Sequence, residues 1–266
     1  MGFKKWVSLS VLLFSWMALT AVAEVPDPCA GPSAVLSLVN RPTIADSACV
    51  VPFEKGMIEA GFQYQNLIGG KSGYNLPQTD LRLGLPARTE LVILFPDYTR
   101  QTTRPHAGWG PTAVGLKHEL GYNAKWLGSI EGLVVLPSGS AAFGSDGMGG
   151  VINGIVDYSF SSTLSLTFIL GVSTQVLPYN AGGQRFNSVN PDLVLVWQVT
   201  PQFQTFGEIY GQSKTGPHQG AGFIADAGIQ YLWTPNLASD LEAGQRISGK
   251  LGNINNYFGA GLAWLF

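Results

Sequence analysis

From about Gly56 to the C-terminus, apolar and polar residues alternate along the chain with a period of two. Between residues 55 and 67, for example, Ile58 and Phe62 fall on one face, and Glu59 and Gln63 fall on the other. Such alternation is typical of β-strands whose two faces meet different surroundings, and a period of 3.6 is almost absent. The pattern predicts an all-β protein of about twelve strands, each about nine to twelve residues long.

The connections between the predicted strands alternate in length. Tight connections are expected at Pro86-Ala87, 122–124, 161–162, 200–201 and 234–236. Longer connections, rich in Gly, Ser, Asn and Pro, are expected near 68–77, 97–110, 138–147, 177–188, 213–220 and 247–254. A soluble β-sandwich would also alternate, but short turns on one side and long loops on the other are typical of an outer-membrane barrel.

Aromatic residues gather near the tight-turn ends of the strands, as in the aromatic girdles of membrane barrels. They are Trp126, Tyr158, Phe160, Trp197, Tyr231, Trp233, Trp264 and Phe266. The closing pattern of Phe258, Leu262, Trp264 and Phe266 resembles the C-terminal signal that the barrel-assembly machinery reads. We therefore predict that residues 56–266 form a transmembrane antiparallel up-and-down β-barrel, closed so that no backbone group is left unpaired in outer-membrane lipid.

The first residues have the features of a secretory signal. Lys4 and Lys5 precede a short apolar stretch, residues 6–19, and Ala21-Val22-Ala23 fits the small-x-small cleavage pattern. A retained membrane anchor is the alternative, but the apolar stretch is too short to span comfortably. We predict that residues 1–23 are a signal peptide cleaved after Ala23, and that the mature protein lies in the outer membrane of a Gram-negative bacterium.

Residues 24–55 form a Pro-rich segment ahead of the first strand, and we assign it to the periplasmic side. Its two cysteines, Cys29 and Cys49, are expected to form a disulfide in the oxidising compartment that an exported protein meets. The alternative, a lipidated Cys29, is disfavoured because Pro26-Asp27-Pro28 lacks the small and apolar residues that processing needs. The segment could lie under the barrel mouth or inside the barrel.

Charged side chains within the predicted strands lie almost entirely opposite the larger apolar set, so they should point into the barrel lumen. The lumen-lining candidates are Asp80, Arg82, Arg88, Glu90, Lys117, Glu119, Glu131, Asp157, Glu208, Asp226, Asp240, Glu242 and Arg246. They either line a path and set its charge preference, or form ion pairs that brace the barrel wall. A barrel of about twelve strands falls between the filled and the open sizes, so a narrow passage is plausible.

Composition and motif spacing narrow the function further. A net charge of −2 argues against a nucleic-acid partner, which would need a basic excess. We find no catalytic constellation and no metal spacing, and a lone Asp146 among glycines is typical of a loop tip. Some outer-membrane barrels are lipases, so His118, which has outward parity, is the one candidate for a catalytic base. We predict a protein that is not an enzyme and has no cofactor.

Several short motifs resemble the outer-membrane transporters of the MetA-pathway of phenol degradation. They include Asp80-Leu81-Arg82-Leu83-Gly84-Leu85 with Arg88-Thr89-Glu90-Leu91, then Gly115-Leu116-Lys117, Phe206-Gly207-Glu208, and the stretch from Thr234-Pro235-Asn236 to Tyr257-Phe258-Gly259. The resemblance covers about residues 56–266. It implies a barrel that admits small molecules, including aromatic or other apolar ones, and it carries no catalytic residues.

Together these observations predict a monomeric barrel through which small solutes pass without energy coupling. A structural or adhesive barrel that only anchors its outer loops is the first alternative. An outer-membrane enzyme that hydrolyses lipid, with His118 as its base, is the second.

Overall fold

The computed structural model describes residues 25–266. The predicted signal peptide and its cleavage site lie outside the described residues. The strands are β1 (Gly56–Leu67), β2 (Lys71–Leu85), β3 (Thr89–Leu94), β4 (Tyr98–Gln101), β5 (Ala107–Trp109), β6 (Ala113–Tyr122), β7 (Trp126–Val135), β8 (Gly149–Ser159), β9 (Leu164–Val176), β10 (Arg185–Thr200), β11 (Phe203–Gln212), β12 (Gly222–Thr234), β13 (Leu237–Ser248) and β14 (Ile254–Leu265). A short helix, α1 (Ala34–Leu38), precedes them, and 3₁₀ turns occupy Tyr179–Ala181 and Leu251–Asn253.

The strands form one antiparallel sheet that closes on itself. β1 pairs with β2 on one side and with β14 on the other, from Met57 opposite Leu265 to Leu67 opposite Ile254. β4 and β5 form a hairpin between β3 and β6. One part of β2 pairs with β3 and another part pairs with β4, so the hairpin extends the wall beyond the end of β3. Without that hairpin the fourteen strands reduce to twelve around the barrel, so the predicted architecture is confirmed.

The two faces of the sheet differ as the alternation predicts. Outward side chains such as Leu170, Leu195 and Ile209 are about half exposed and form an apolar belt. Inward positions carry polar and charged side chains that are mostly buried. At the tight-turn end, aromatic rings pair on the outer surface, with Trp126 and Tyr158 centroids 4.4 Å apart. An apolar exterior of this kind is the surface that hydrocarbon requires.

The strands extend further away from the tight turns than the sequence predicts. β2 begins at Lys71, so most of the loop expected at 68–77 is strand, and β10 begins at Arg185. Above the apolar belt both faces of a strand meet water or loops, and polar residues such as Asn75 then hide the alternation. Backbone pairing persists there, as between Gly73 and Gln101. Among the described residues, no helix is long and apolar enough to cross a membrane.

Candidate functional site

Residues 25–55 fold back into the tight-turn end of the barrel, and we call this segment the plug. Although Ile44 and Phe53 are exposed, most of its apolar side chains are buried, and those of Val35 and Leu38 are fully buried. They pack with inward side chains of the wall in one cluster that includes Ile155, Val194 and Phe206. The segment that the sequence left either under the mouth or inside the barrel therefore lies inside it, where its apolar residues are sheltered from water.

A disulfide and a short helix shape the plug. Cys29 and Cys49 are bonded, with their Cα atoms 5.5 Å apart, so the bond closes a loop of sequence separation 20 that contains α1. Small plugs of this length bury too little apolar surface to hold a fold alone, and a covalent loop lowers the entropy of their unfolded state. The described residues contain no free cysteine.

Buried carboxylates of the barrel wall accept hydrogen bonds from the backbone of the plug. Glu59 on β1 accepts the N–H groups of Asn40 at 3.0 Å and Arg41 at 2.8 Å. Glu208 on β11 accepts those of residues 44 and 45 at 3.0 and 2.8 Å. Glu90 on β3 accepts that of residue 51 at 2.6 Å. Charge-assisted bonds of this kind are stronger than neutral ones, so three separate turns of the plug are fixed to the wall.

Two fully buried cations complete this network. Arg82 on β2 makes ion pairs with Glu59 at 3.1 Å and Glu90 at 3.0 Å, and its guanidinium donates to the carbonyl of Leu38 at 2.6 Å. Lys117 on β6 lies 2.9 Å from Glu90 and donates to a plug carbonyl, that of residue 47, at 2.9 Å. Because each cation bonds both the wall and the plug, Arg82 and Lys117 fix the plug to the wall and do not brace the wall alone.

Arg41 of the plug extends its side chain along the adjacent strands β2, β1, β14 and β13. It donates to Gln78 at 2.8 Å and lies 3.4 Å from Asp240. The paired residues Gly61 and Gly261 face its guanidinium, and a Cβ atom at either position would overlap it. A side chain at either position would therefore displace the Arg41 guanidinium from its place between plug and wall.

Most of the remaining lumen candidates are acidic side chains that point into the barrel. Glu131 lies deep in the barrel and accepts from Asn153 at 3.0 Å. Asp80 and Glu242 are inward side chains that each have a buried oxygen without a protein partner, and Asp157 accepts from Thr167 on the neighbouring strand. Asp226, also inward, accepts a bond from the Tyr257 hydroxyl.

Two candidates lie away from the centre. Arg88 belongs to the tight turn, where it is 43% exposed and bonds Glu119 and Asp27 at the rim, so it differs from the lumen position expected for it. Arg246 lies towards the opposite end and is hydrogen-bonded to Asn255.

Sequence reasoning missed several residues that the structure brings into the site. Glu59 and Asp192 have inward parity but were not among the candidates, and no strand pattern pointed to Asn40, Arg41 or Asp46 in the plug. The signal that could have found Glu59 is its alternation with Ile58 and Ala60. The plug residues carry no such signal because they act largely through backbone groups.

The outward residues singled out in the sequence lie on the lipid-facing surface. Phe258, Leu262, Trp264 and Phe266 are all about half exposed. Phe266 also exchanges backbone hydrogen bonds with Gly56, which helps to close the barrel. His118 faces outward, and its ring nitrogen lies 2.9 Å from the Thr89 hydroxyl. Among the described residues, no group of three or more His, Cys, Asp or Glu side chains is arranged to hold a metal ion.

Solved structures with a similar fold are outer-membrane barrels. An outer membrane channel from Pseudomonas putida F1 matches with a TM-score of 0.62 at 8% identity, over 82% of this chain and 98% of its own. The NanC porin matches with a TM-score of 0.54 at 11% identity, over 79% and 98%. The KdgM porin in complex with disordered oligogalacturonate matches with a TM-score of 0.52 at 10% identity, over 79% and 99%.

No curated protein sequence matches this chain significantly. The family model described as "Putative MetA-pathway of phenol degradation" matches residues 40–266, which include most of the plug's bonds to the wall as well as the whole barrel. The chain therefore belongs to the MetA-pathway of phenol degradation family.

Proposed function

We propose that the protein is a monomeric outer-membrane channel for small solutes, whose lumen is narrowed by its own N-terminal plug. The observation that carries the proposal is the plug itself, fixed by wall carboxylates and by Arg82 and Lys117 at the periplasmic end of a closed barrel. An anchor protein needs only a stable wall. A polar network that positions a folded segment across the lumen is instead what controls passage through it.

The comparisons support passage of solutes, since similar barrels are channels and porins by name. The KdgM porin is described with oligogalacturonate, which is a polyanion. The lumen of this chain is rich in carboxylates, so we propose that polyanions are not its solutes. Small neutral, aromatic or otherwise apolar compounds fit the family description and a lumen that also exposes apolar side chains such as Val196.

The test is the conductance of the refolded mature protein in a planar bilayer, compared with a variant that lacks residues 25–53. We expect small discrete steps from the full mature chain and several-fold larger steps after the deletion, because the lumen then has no plug. Heat-modifiable migration on a gel must show that both proteins are folded. Silence in both folded proteins would refute the channel and favour an anchoring role.

A lipid-hydrolysing activity is tested separately on the same preparations. Release of fatty acid from phospholipid vesicles that is abolished by His118→Ala would overturn the proposal in favour of an enzyme. No such release is expected, because the His118 ring contacts only a threonine hydroxyl among its hydrogen-bonding neighbours in the described chain.

A further inference from the structure

The plug is bonded to one side of the barrel and not to the other. Its hydrogen bonds reach side chains on β1, β2, β3, β6, β11 and β12, and its Arg41 also reaches β13 and β14. Within residues 25–266 no hydrogen bond joins the plug to a side chain of β8, β9 or β10. The contacts on that side are apolar ones, with Ile155, Ile169 and Val194. The weakest seal between plug and wall therefore runs along β8–β10.

Two cavities lie end to end along this seal. The one at the tight-turn end has a volume of about 600 Å³ and is lined by Asp157, Thr167 and Val194 on β8, β9 and β10. The one beyond it has a volume of about 370 Å³ and is lined by inward residues two or four positions further along the same strands, including Asp192. Asp46 of the plug lines both. We call the two cavities together the crevice.

The crevice is large enough for water and hydrated ions. At about 30 Å³ per water, the first cavity alone holds on the order of 20 water molecules. Two of the polar groups that line the crevice, Asp192 and Asn190, each have a buried acceptor oxygen with no partner in the protein. Such oxygens are stabilised by a cation or a water that donates to them.

The charge of the crevice is negative. Asp46, Asp157 and Asp192 line it, and Glu131 lies within electrostatic range of Asp46. Lys125, an exposed residue at the tight-turn mouth, is the one basic side chain among the described residues that line either cavity. The buried cations Arg82 and Lys117 line neither cavity and are already paired with Glu59 and Glu90.

We propose that solutes and ions pass the plug through this crevice, and that Asp46 at the junction of the two cavities makes the path prefer cations and cationic solutes. The inference rests on the proposed channel function and deepens it by naming the route and the charge class. A carboxylate that lines both cavities acts on an ion in either of them, whereas Arg82 and Lys117 are neutralised by their carboxylate partners.

The first experiment measures the reversal potential of the full mature protein in a KCl gradient, for the wild type and for Asp46→Asn. The substitution keeps an oxygen for the bond that Asn40 donates at 2.6 Å, so the plug should stay in place. We expect the cation-over-anion permeability ratio to fall about sixteenfold, because one unit charge acting across about 5 Å of water changes the Boltzmann factor about fourfold for the cation and about fourfold in the opposite direction for the anion. The matched control is Asp27→Asn, which removes a plug carboxylate bonded at the rim and outside the crevice.

The second experiment locates the path with single cysteines and a cationic methanethiosulfonate reagent. Thr167→Cys lies in the crevice, and its modification should reduce the current. Ala238→Cys on β13 lies beneath the plug in the apolar cluster, and it should leave the current unchanged. The native cysteines are bonded to each other and do not react.

The outcomes separate this inference from the channel function. Silence with and without the plug refutes the channel itself. Current only after the plug is deleted keeps the channel and overturns the crevice. Current through the full chain that is anion-selective, unchanged in Asp46→Asn, or blocked equally at residue 238 also overturns the crevice alone. Two results together support the crevice. The current of the full chain is cation-selective and loses part of that selectivity in Asp46→Asn, and the reagent reduces the current of Thr167→Cys.

Discussion

The substitution Glu59→Gln tests whether wall carboxylates hold the plug. Glu59 is fully buried and accepts two N–H groups of the plug, from Asn40 and Arg41, while one oxygen also pairs with Arg82 at 3.1 Å. Glutamine has nearly the same shape and keeps one acceptor oxygen. The change therefore removes charge from the acceptor without opening a cavity, and Arg82 keeps its second partner, Glu90.

The expected loss follows from the bonds that change. A hydrogen bond to a charged group contributes about 1 kcal/mol more than a neutral one, and two backbone bonds are affected. Replacing the charged acceptor of the Arg82 hydrogen bond by a neutral one adds about 1 kcal/mol by the same reckoning, because that buried cation keeps its second partner. The free energy of docking for this part of the plug should fall by about 3 kcal/mol, which corresponds to an opening equilibrium about 150-fold larger.

The measurement is amide hydrogen exchange of the mature protein in detergent or nanodiscs, read on a peptide covering residues 38–43. Exchange there should accelerate by about two orders of magnitude, because local opening controls it. The control is Asp157→Asn, an inward wall carboxylate whose hydrogen-bond partner, Thr167, belongs to the neighbouring strand of the wall. Equal protection in wild type and Glu59→Gln, or equal acceleration in the control, would refute the reasoning that charged acceptors fix the plug.

Three further predictions concern stability and the two faces of the wall. Arg82→Met should destabilise the protein by about 3–5 kcal/mol in denaturant unfolding, because it leaves the buried Glu59 without its paired cation and Glu90 with Lys117 alone. Replacing Cys29 and Cys49 together with serine should cost the plug about 3 kcal/mol and make it cleavable by chymotrypsin after Leu36 or Leu38 while barrel heat-modifiability is kept. Leu195→Arg on the lipid face should cost about 2–4 kcal/mol of barrel stability, and Val196→Arg, which faces the water-filled crevice, should cost clearly less.

Period-two alternation identified every strand around the barrel because lipid on one side and the lumen on the other impose opposite preferences on successive residues. The alternation no longer identifies strand residues where the strand extends beyond the lipid or beyond the lumen. Residues 71–77 are strand beyond the apolar belt, and no pattern marks them. Arg88 was assigned inward by parity, yet it belongs to a tight turn in which its φ is 52° and parity no longer applies.

The plug could not be found by periodicity, because its bonds to the wall use backbone groups that every sequence shares. A different signal was present in the strands. Of the thirteen charged lumen candidates, nine are acidic and four are basic, so the wall cannot pair its own carboxylates. Buried carboxylates without cations are costly, and a narrow barrel therefore needs donors from outside its strands.

The plug supplies those donors to only part of the wall. The acidic excess of the wall therefore has two consequences. Glu59, Glu90 and Glu208 are satisfied by its N–H groups and hold it in place. The carboxylates along β8–β10, among them Asp192, receive no hydrogen bond from it, and they line the space that it leaves open. The same acidic excess thus fixes the plug on one side and makes the remaining path negative on the other. A variant that adds a cation to that path, such as Asn153→Lys, should lower cation preference without releasing the plug, whereas Glu59→Gln should release the plug locally and leave the charge preference unchanged.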